Sequence, residues 1–215
     1  MLDIHCHILP GVDDGAADLD ESLAMFRAAR EAGITEIVCT PHCRDPYFDY
    51  EAMAAAYTQL RAAVGDFPLR MGFEVNHRKL MELGMDWAQV LALWGTRTIL
   101  LELSVGASPS RFGDYGRTIF ELQGMGYDVI IAHPERYQVI QRDIGYAEEL
   151  VRMGCKLQLS ADFVAGGRFG RERRPAVKLL KAGLVSYIAS DAHYPEHYRL
   201  FARAMAKYGD YLVRA

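Results

Sequence analysis

Seven short apolar runs, rich in branched residues, recur along the chain at residues 2–4, 36–40, 69–73, 98–101, 128–132, 156–159 and 185–189. Each ends in a polar residue. Amphipathic stretches lie between them, at 19–32, 51–64, 114–124, 146–153, 174–182 and 196–207. Strands that alternate with helices predict an α/β protein with a mainly parallel sheet. Gly33 and Gly183 follow the last periodic residue of their helices, where a left-handed cap favours glycine. Asp18 and Asp20 suit an N-cap and a first helical turn. Periodicity alone does not separate a closed or nearly closed barrel from an open sheet. Seven units in 215 residues fit a barrel better than an open sheet with a second domain. With no repeat, low-complexity tract or linker, residues 1–215 are expected to form one domain.

The net charge of -4 and pI near 6.0 argue against general nucleic-acid binding, which needs a basic face. An anionic substrate would have to be drawn by local metal ions or arginines. No run of about 18 apolar residues and no apolar signal core appear, so neither membrane insertion nor secretion is expected. The default expectation is a cytoplasmic protein. Cys6, Cys39, Cys43 and Cys155 lack Cys-x-x-Cys spacing and are expected to stay reduced.

The polar residues that end the runs are unusual as a set. His5 and His7, His42, His133 and His193 all fall at strand endings. In a parallel (β/α) architecture all such endings open on one face, where catalytic residues gather. His5 and His7 are two apart on a strand, so both rings project to one side and can reach one ion. Glu74, Glu102 and Asp191 end other runs, and Asp13 and Asp14 sit in the loop after the first. Singly, each acid reads as a cap or a surface charge. Together on one face they demand cations. Mixed imidazole and carboxylate ligation suits Mn²⁺, Fe²⁺ or Zn²⁺, and the number of donors exceeds the needs of one ion, suggesting two or three. Such clusters clamp phosphoryl oxygens and assist in-line displacement. Arg136, three residues after His133, and Arg44, two after His42, could fork onto phosphate.

A thiolate mechanism would need an arginine six positions after a cysteine. Those positions hold Val12, Asp45, Asp49 and Ala161. No phosphate-binding glycine motif with the required spacing occurs either; Gly166-Gly167-Arg168-Phe169-Gly170 reads as a flexible loop rimming the site. Cys43 reads as a packed thiol, Trp87 and Trp94 as packing residues, and His77 and His197 as surface residues.

Asp3-Ile4-His5-Cys6-His7, Val12-Asp13-Asp14-Gly15, Thr40-Pro41-His42, Glu74, Glu102, His133-Pro134-Glu135-Arg136-Tyr137 and Ser190-Asp191-Ala192-His193 resemble the PHP (polymerase and histidinol phosphatase) superfamily. The resemblance runs from Met1 to about Lys207 and is nearest to the branch of bacterial manganese-dependent protein-tyrosine phosphatases of capsule and exopolysaccharide gene clusters. It implies a distorted seven-stranded (β/α) barrel and a trinuclear site. By motif, His5, His7, Glu74 and Asp191 would hold one ion. Glu74 would bridge to a second, completed by Glu102 and His133, and Asp14, His42 and His193 would hold the third. Asp14, His42 and Arg136 would be catalytic, and Arg136, Arg44 and Arg199 would bind substrate. Arg199 is the nearest equivalent of an arginine that the family carries after Ser-Asp-x-His, and the chain ends at Ala215, before the Asn-Pro-containing last helix that the family commonly adds. The resemblance further implies two to three divalent ions, Mn²⁺ first with Fe²⁺ or Zn²⁺ as alternatives. The implied partner is the phosphotyrosine tail of a bacterial tyrosine kinase that controls polysaccharide synthesis and export, and a homo-oligomer is compatible with it. The competing readings are a PHP small-molecule phosphatase, such as one acting on histidinol phosphate, and a non-catalytic phosphotyrosine-binding module.

Overall fold

Residues 1–93 and 95–213 are described by the computed structural model, so Trp94 lies outside the described residues. The assigned strands are β1 (Leu2–Asp3), β2 (Glu36–Cys39), β3 (His42–Cys43), β4 (Leu69–Met71), β5 (Glu74–Asn76), β6 (Thr98–Glu102), β7 (Asp128–Ala132), β8 (Lys156–Ser160) and β9 (Tyr187–Ala189). The α-helices are α1 (Leu19–Glu31), α2 (Tyr50–Val64), α3 (His77–Leu83), α4 (Ala88–Leu91), α5 (Phe112–Gly124), α6 (Gln138–Arg142), α7 (Gly145–Arg152), α8 (Arg173–Lys181) and α9 (Pro195–Tyr208). No helix among the described residues is long and apolar enough to cross a membrane.

All strand pairs are parallel. One sheet has the order β1-β2-β4 and the other β3-β5-β6-β7-β8-β9. The seven expected strands become nine elements because two of them break. Thr40-Pro41 separates β2 from β3, and Gly72-Phe73 separates β4 from β5. Hydrogen bonds still cross these breaks, from Gly72 N to Cys39 O (2.9 Å) and from Glu74 N to Pro41 O (3.2 Å). The two edges meet at an isolated parallel bridge between Cys6 and Ala192. Asp191 N donates to His5 O (2.8 Å) and His7 N to Ala192 O (2.9 Å) there. In hydrogen-bond order the seven strands thus run in a ring, with no continuous ladder closing it.

Period-two alternation divides the strands between two environments. Val129 and Ile131, Leu157 and Leu159, and Ile99 and Leu101 join the large core shared with the helices. Ile130, Ala132, Leu100, Val38, Ala189 and Ile4 form a separate small cluster with Leu93. That alternation, carried two or four residues on, delivers Glu102 after Leu100, His42 after Val38 and Asp191 after Ala189. The apolar cluster therefore underlies the polar one.

Helix ends follow their sequence signals. Asp18 accepts from Glu21 N at the start of α1 (2.9 Å), and Gly33 and Gly183 adopt φ of 84° and 66° just past α1 and α8. The first and last strands are latched by buried Asp3, which accepts from Ser190 N (2.9 Å) and Ser190 Oγ (2.6 Å). Tyr137 makes a second buried tie. Its hydroxyl donates to Ala132 O (2.6 Å) and accepts from Leu103 N (2.9 Å), joining the ends of β6 and β7. Tyr137→Phe strands both backbone groups in a dry site, so a loss of about 1–3 kcal/mol in unfolding free energy is expected. Chemical denaturation measures it, and an unchanged midpoint would refute the tie.

Candidate metal centre

Every strand end on one face delivers a donor, and the donors converge. Three groups have ligand atoms within 4.8 Å of one another: His7, Asp14, His42 and His193; His5, His7 and Glu74; and Glu74, Glu102 and His133. Asp191 joins the second group, with Oδ1 at 3.3 Å from His7 Nε2 and 3.5 Å from His5 Nε2. All nine residues expected as ligands are thus brought together. All but Asp14 are buried.

The backbone is bent to achieve this. His133 and Asp191 have φ of 33° and 48°, the two non-glycine residues with positive φ among the described residues. Such strain persists only where the surroundings hold it. Gly15 folds the Val12-Asp13-Asp14-Gly15 loop onto the first strand so closely that a Cβ there would lie 1.9 Å from His7 O.

The hydrogen bonds around the imidazoles select their reactive nitrogen. His5 Nδ1 donates to Gln158 Oε1 (2.8 Å), His7 Nδ1 to Asp13 Oδ2 (2.8 Å) and His193 Nδ1 to Asp191 O (2.9 Å). Each Nε2 is left as a lone pair aimed into the cluster, the arrangement that outer hydrogen bonds impose on ligating histidines. His5 Nε2 and His7 Nε2 sit 3.3 Å apart, so two lone pairs face each other. Donors sharing an ion at about 2.0–2.2 Å lie about 3.0–3.5 Å from one another, which is the spacing found here. Asp14 Oδ1 and His193 Nε2, 3.3 Å apart, are buried without a hydrogen-bond partner. Nitrogen and oxygen donors with no sulfur, converging within 4.8 Å of one another in each group, fit divalent cations.

Charge follows the same logic. Burial opposes the charge on His5, but Glu74 and Asp191 outweigh it and lift its pKa to about 10. Burial likewise opposes His42, which Glu74 and Asp14 lift to about 9. Glu74 and Asp191 are held well below the usual carboxylate range by histidines, with Arg136 the strongest partner of Asp191, although burial works the other way. Burial raises Glu135 to about 8 against the pull of Arg136. After chelation, His5 and His42 stabilise the fold fully below about pH 6.5, and this is lost as pH rises through 9 to 10. Glu135 is neutral in the fold and ionised when unfolded between 4.5 and 8, so it also favours the acid side. Glu74 and Asp191 contribute above their unfolded values and set the acid limit. The chelated protein is expected to melt at a higher temperature near about pH 6 than near about pH 9. Equal or reversed melting temperatures would count against these charge assignments.

Arg136 is buried, with one nitrogen 2.5 Å from Asp191 Oδ2, 3.1 Å from Ser160 Oγ and 3.4 Å from Asp162 Oδ2. It lines a cavity of about 360 Å³ with Asp14, Asp162, Arg168, Asp191 and His193. Arg44 reaches His42 Nε2 (2.8 Å) and Asp14 Oδ2 (3.6 Å) from the other side. Arg199 is exposed on α9 and does not line the cavity, whereas Arg168 does, 3.5 Å from Asp14 Oδ2. The glycine-rich segment thus rims the cleft. His77 and His197 are half-buried and hydrogen-bonded rather than free at the surface: His77 Nε2 bonds Thr118 Oγ1 (2.9 Å), and His197 Nδ1 accepts from His193 N (3.2 Å). Cys43 is buried, and burial pushes its thiol up to about 12, so it is inert.

Sequence reasoning missed Gln158, Asp162 and Tyr194. Gln158 did leave a signal, as a glutamine inside an apolar run that shares a face with Ser160. Asp13 stood among the acids of the first loop, but its bond to His7 Nδ1 is set by the fold.

Comparisons with known proteins identify the family. Residues 1–208 match the family model described as capsular polysaccharide synthesis, CpsB/CapC. The tyrosine-protein phosphatase YwqE of Bacillus subtilis is 36% identical over 200 residues, covering 90% of this chain and 77% of that protein. The putative tyrosine-protein phosphatase CapC of Staphylococcus aureus is 30% identical over the same shares of each chain. A chain from the crystal structures of YwqE from Bacillus subtilis and CpsB from Streptococcus pneumoniae, described as unique metal-dependent tyrosine phosphatases, superposes with a TM-score of 0.81. It has 31% identity and covers 96% of this chain and 87% of that one. With its fold and its nine converging donors in common with the expected pattern, the chain belongs to the CpsB/CapC family of capsular polysaccharide synthesis.

Proposed function

We propose that this chain is a metal-dependent phosphoric monoester hydrolase that removes phosphate from phosphotyrosine. The observation that carries the reading is the set of donor groups sharing His7 and Glu74, beside a cavity that holds a buried arginine. His5, His7, Glu74 and Asp191 would hold one ion, Glu102 and His133 a second shared through Glu74, and Asp14, His42 and His193 a third. Mn²⁺ is the proposed occupant, since imidazole and carboxylate donors accept it readily. Bound there, such ions would polarise phosphoryl oxygens and lower the pKa of water.

The chain's own residues do the rest. Gln158, Asp13 and the Asp191 carbonyl orient three imidazoles before substrate arrives. Arg136, fixed by Ser160, Asp162 and Asp191, presents a guanidinium to the phosphate oxygens. Arg44 stands on the opposite side beside His42 and Asp14. Tyr194, exposed at the cavity mouth, offers a ring face to a phenyl ester. A tyrosine-kinase tail in a polysaccharide export system is the proposed substrate, met in the cytoplasm, in keeping with the family's role in capsule synthesis.

Hydrolysis of a phosphotyrosine peptide and of para-nitrophenyl phosphate with added Mn²⁺ tests this. Activity is expected to require the ion, to vanish with chelator and to be lost in His42→Ala. Absence of metal-dependent turnover on both compounds rejects the reading, and a higher efficiency on histidinol phosphate would redirect it to a small molecule.

A further inference from the structure

The segment that rims the catalytic cavity continues into a patch of one charge. Gly167 and Arg168 line that cavity, and Arg171, Arg173 and Arg174 follow within a few residues. These three arginines are exposed, and with Gly170, Val177 and Tyr208 they line a separate depression of about 580 Å³. Among the described residues none of them has a carboxylate partner.

The one acid within the run does not neutralise it. Glu172 is fully buried, and its carboxylate accepts from Phe169 N (3.1 Å) and Arg171 N (2.8 Å). A Cβ at Gly167 would lie 2.5 Å from Glu172, so the loop closes tightly over it. Glu172 therefore sets the loop's shape, and the arginines face solvent unopposed. Lys178, exposed on the next turn of α8, adds to the same sign. A concentrated cationic surface on a chain of net charge -4 is a local feature, not a consequence of composition.

We propose that Arg171, Arg173 and Arg174 form an anion subsite that receives an acidic or second phosphorylated side chain from the same peptide whose phosphotyrosine occupies the catalytic cavity. The inference rests on the phosphatase reading above and adds the substrate's flanking chemistry to it. Reach supports the pairing. Arg168 and Arg171 are three residues apart, so their backbones lie no more than about 10–11 Å from each other. An extended peptide covers that distance in about three to four residues. Guanidinium groups fork equally onto carboxylate and phosphate, so the shared ligand chemistry is an anion on a short tether.

The test uses the full chain with Mn²⁺ and four substrates. These are para-nitrophenyl phosphate, a phosphotyrosine peptide with neutral flanks, the same peptide with glutamates about three to six residues from the phosphotyrosine on either side, and one with a second phosphotyrosine there. Wild-type protein is expected to favour the anionic peptides over the neutral one by about tenfold in kcat/KM, mainly through KM. That preference should collapse when ionic strength rises from about 0.05 to 0.5 M. The triple variant R171A/R173A/R174A should lose the preference and keep its rate on para-nitrophenyl phosphate. Arg174→Glu alone should weaken it. Preference for only one anionic peptide identifies carboxylate or phosphate as the ligand. Equal efficiency on neutral and anionic peptides overturns the subsite. So does binding of the wild type, but not the triple variant, to phosphatidylserine vesicles without any peptide preference, which assigns the patch to a membrane surface. Failure to turn over any of the four substrates instead rejects the phosphatase reading.

Discussion

Glu74→Gln is expected to lower kcat/KM on para-nitrophenyl phosphate by about 10³-fold or more, equivalent to about 4 kcal/mol of transition-state stabilisation. The size follows from where the carboxylate sits. Its Oε1 is 2.6 Å from His133 Nε2 and 3.6 Å from His5 Nε2, and its Oε2 is 2.5 Å from His42 Nδ1 and 3.6 Å from His7 Nε2. One side chain therefore touches histidines of all three donor groups. Glutamine keeps the shape but removes the charge that offsets the cations, and it points N–H donors at nitrogens that need a cation. Bound metal per chain, measured by elemental analysis, should fall together with activity. Glu102→Gln gives the contrast, because Glu102 belongs to a single group and is partly held by Asn76 Nδ2 (3.0 Å). A Glu74→Gln protein with its full metal complement and a rate within about tenfold of wild type would refute the shared role.

The same carboxylate shows how much was legible beforehand. Glu74 was readable as a strand-ending acid because apolar runs of regular spacing mark strand ends well. The strand ends 128–132 and 98–101, and the helices after them, fall within two residues of what periodicity gives. What periodicity missed is local geometry. The breaks at Thr40-Pro41 and Gly72-Phe73 split two strands without changing their alternation, so the pattern runs through them unseen. Helices α3, α4 and α6 are short, at 7, 4 and 5 residues, too few to display a 3.6-residue period. The left-handed backbone of His133 and Asp191 is set by tertiary contacts, and nothing in either residue's neighbours announces it.

The His-Pro-Glu-Arg-Tyr motif divides in the same way. His133 and Arg136 could be assigned chemistry from residue type alone. Glu135 and Tyr137 could not, because their work is to hold β6, β7 and β8 together. Glu135 Oε1 accepts from Ser160 N (2.9 Å) while Tyr137 ties Leu103 to Ala132. Two candidate site residues are thus interleaved with two that fix the strands delivering Glu102, Ser160 and His133.

Gly15→Ala should be nearly as damaging as loss of a ligand, although Gly15 carries no side chain. A Cβ there would meet His7 O at 1.9 Å, His7 Cβ at 2.6 Å and His7 C at 2.8 Å. Two of those three atoms are backbone on the first strand and cannot step aside, so the loop must. Gly15 N donates to Asp13 Oδ1 (3.0 Å), and Asp13 Oδ2 in turn accepts from His7 Nδ1 (2.8 Å) and His42 N (3.1 Å). Displacing the loop releases Asp13 from both histidines and carries Asp14 away from His42 and His193, now 3.0 and 3.3 Å from its Oδ1. A shift of about 1 Å in such a constellation costs about 10²-fold in rate, and that is the expected drop in kcat. Overpacking of this kind also costs about 1–3 kcal/mol of stability, so melting and activity should be measured together. Adding excess Mn²⁺ should recover part of the rate if the ligands remain and are only displaced. An alanine variant with wild-type rate and melting temperature would show that the loop does not position this site.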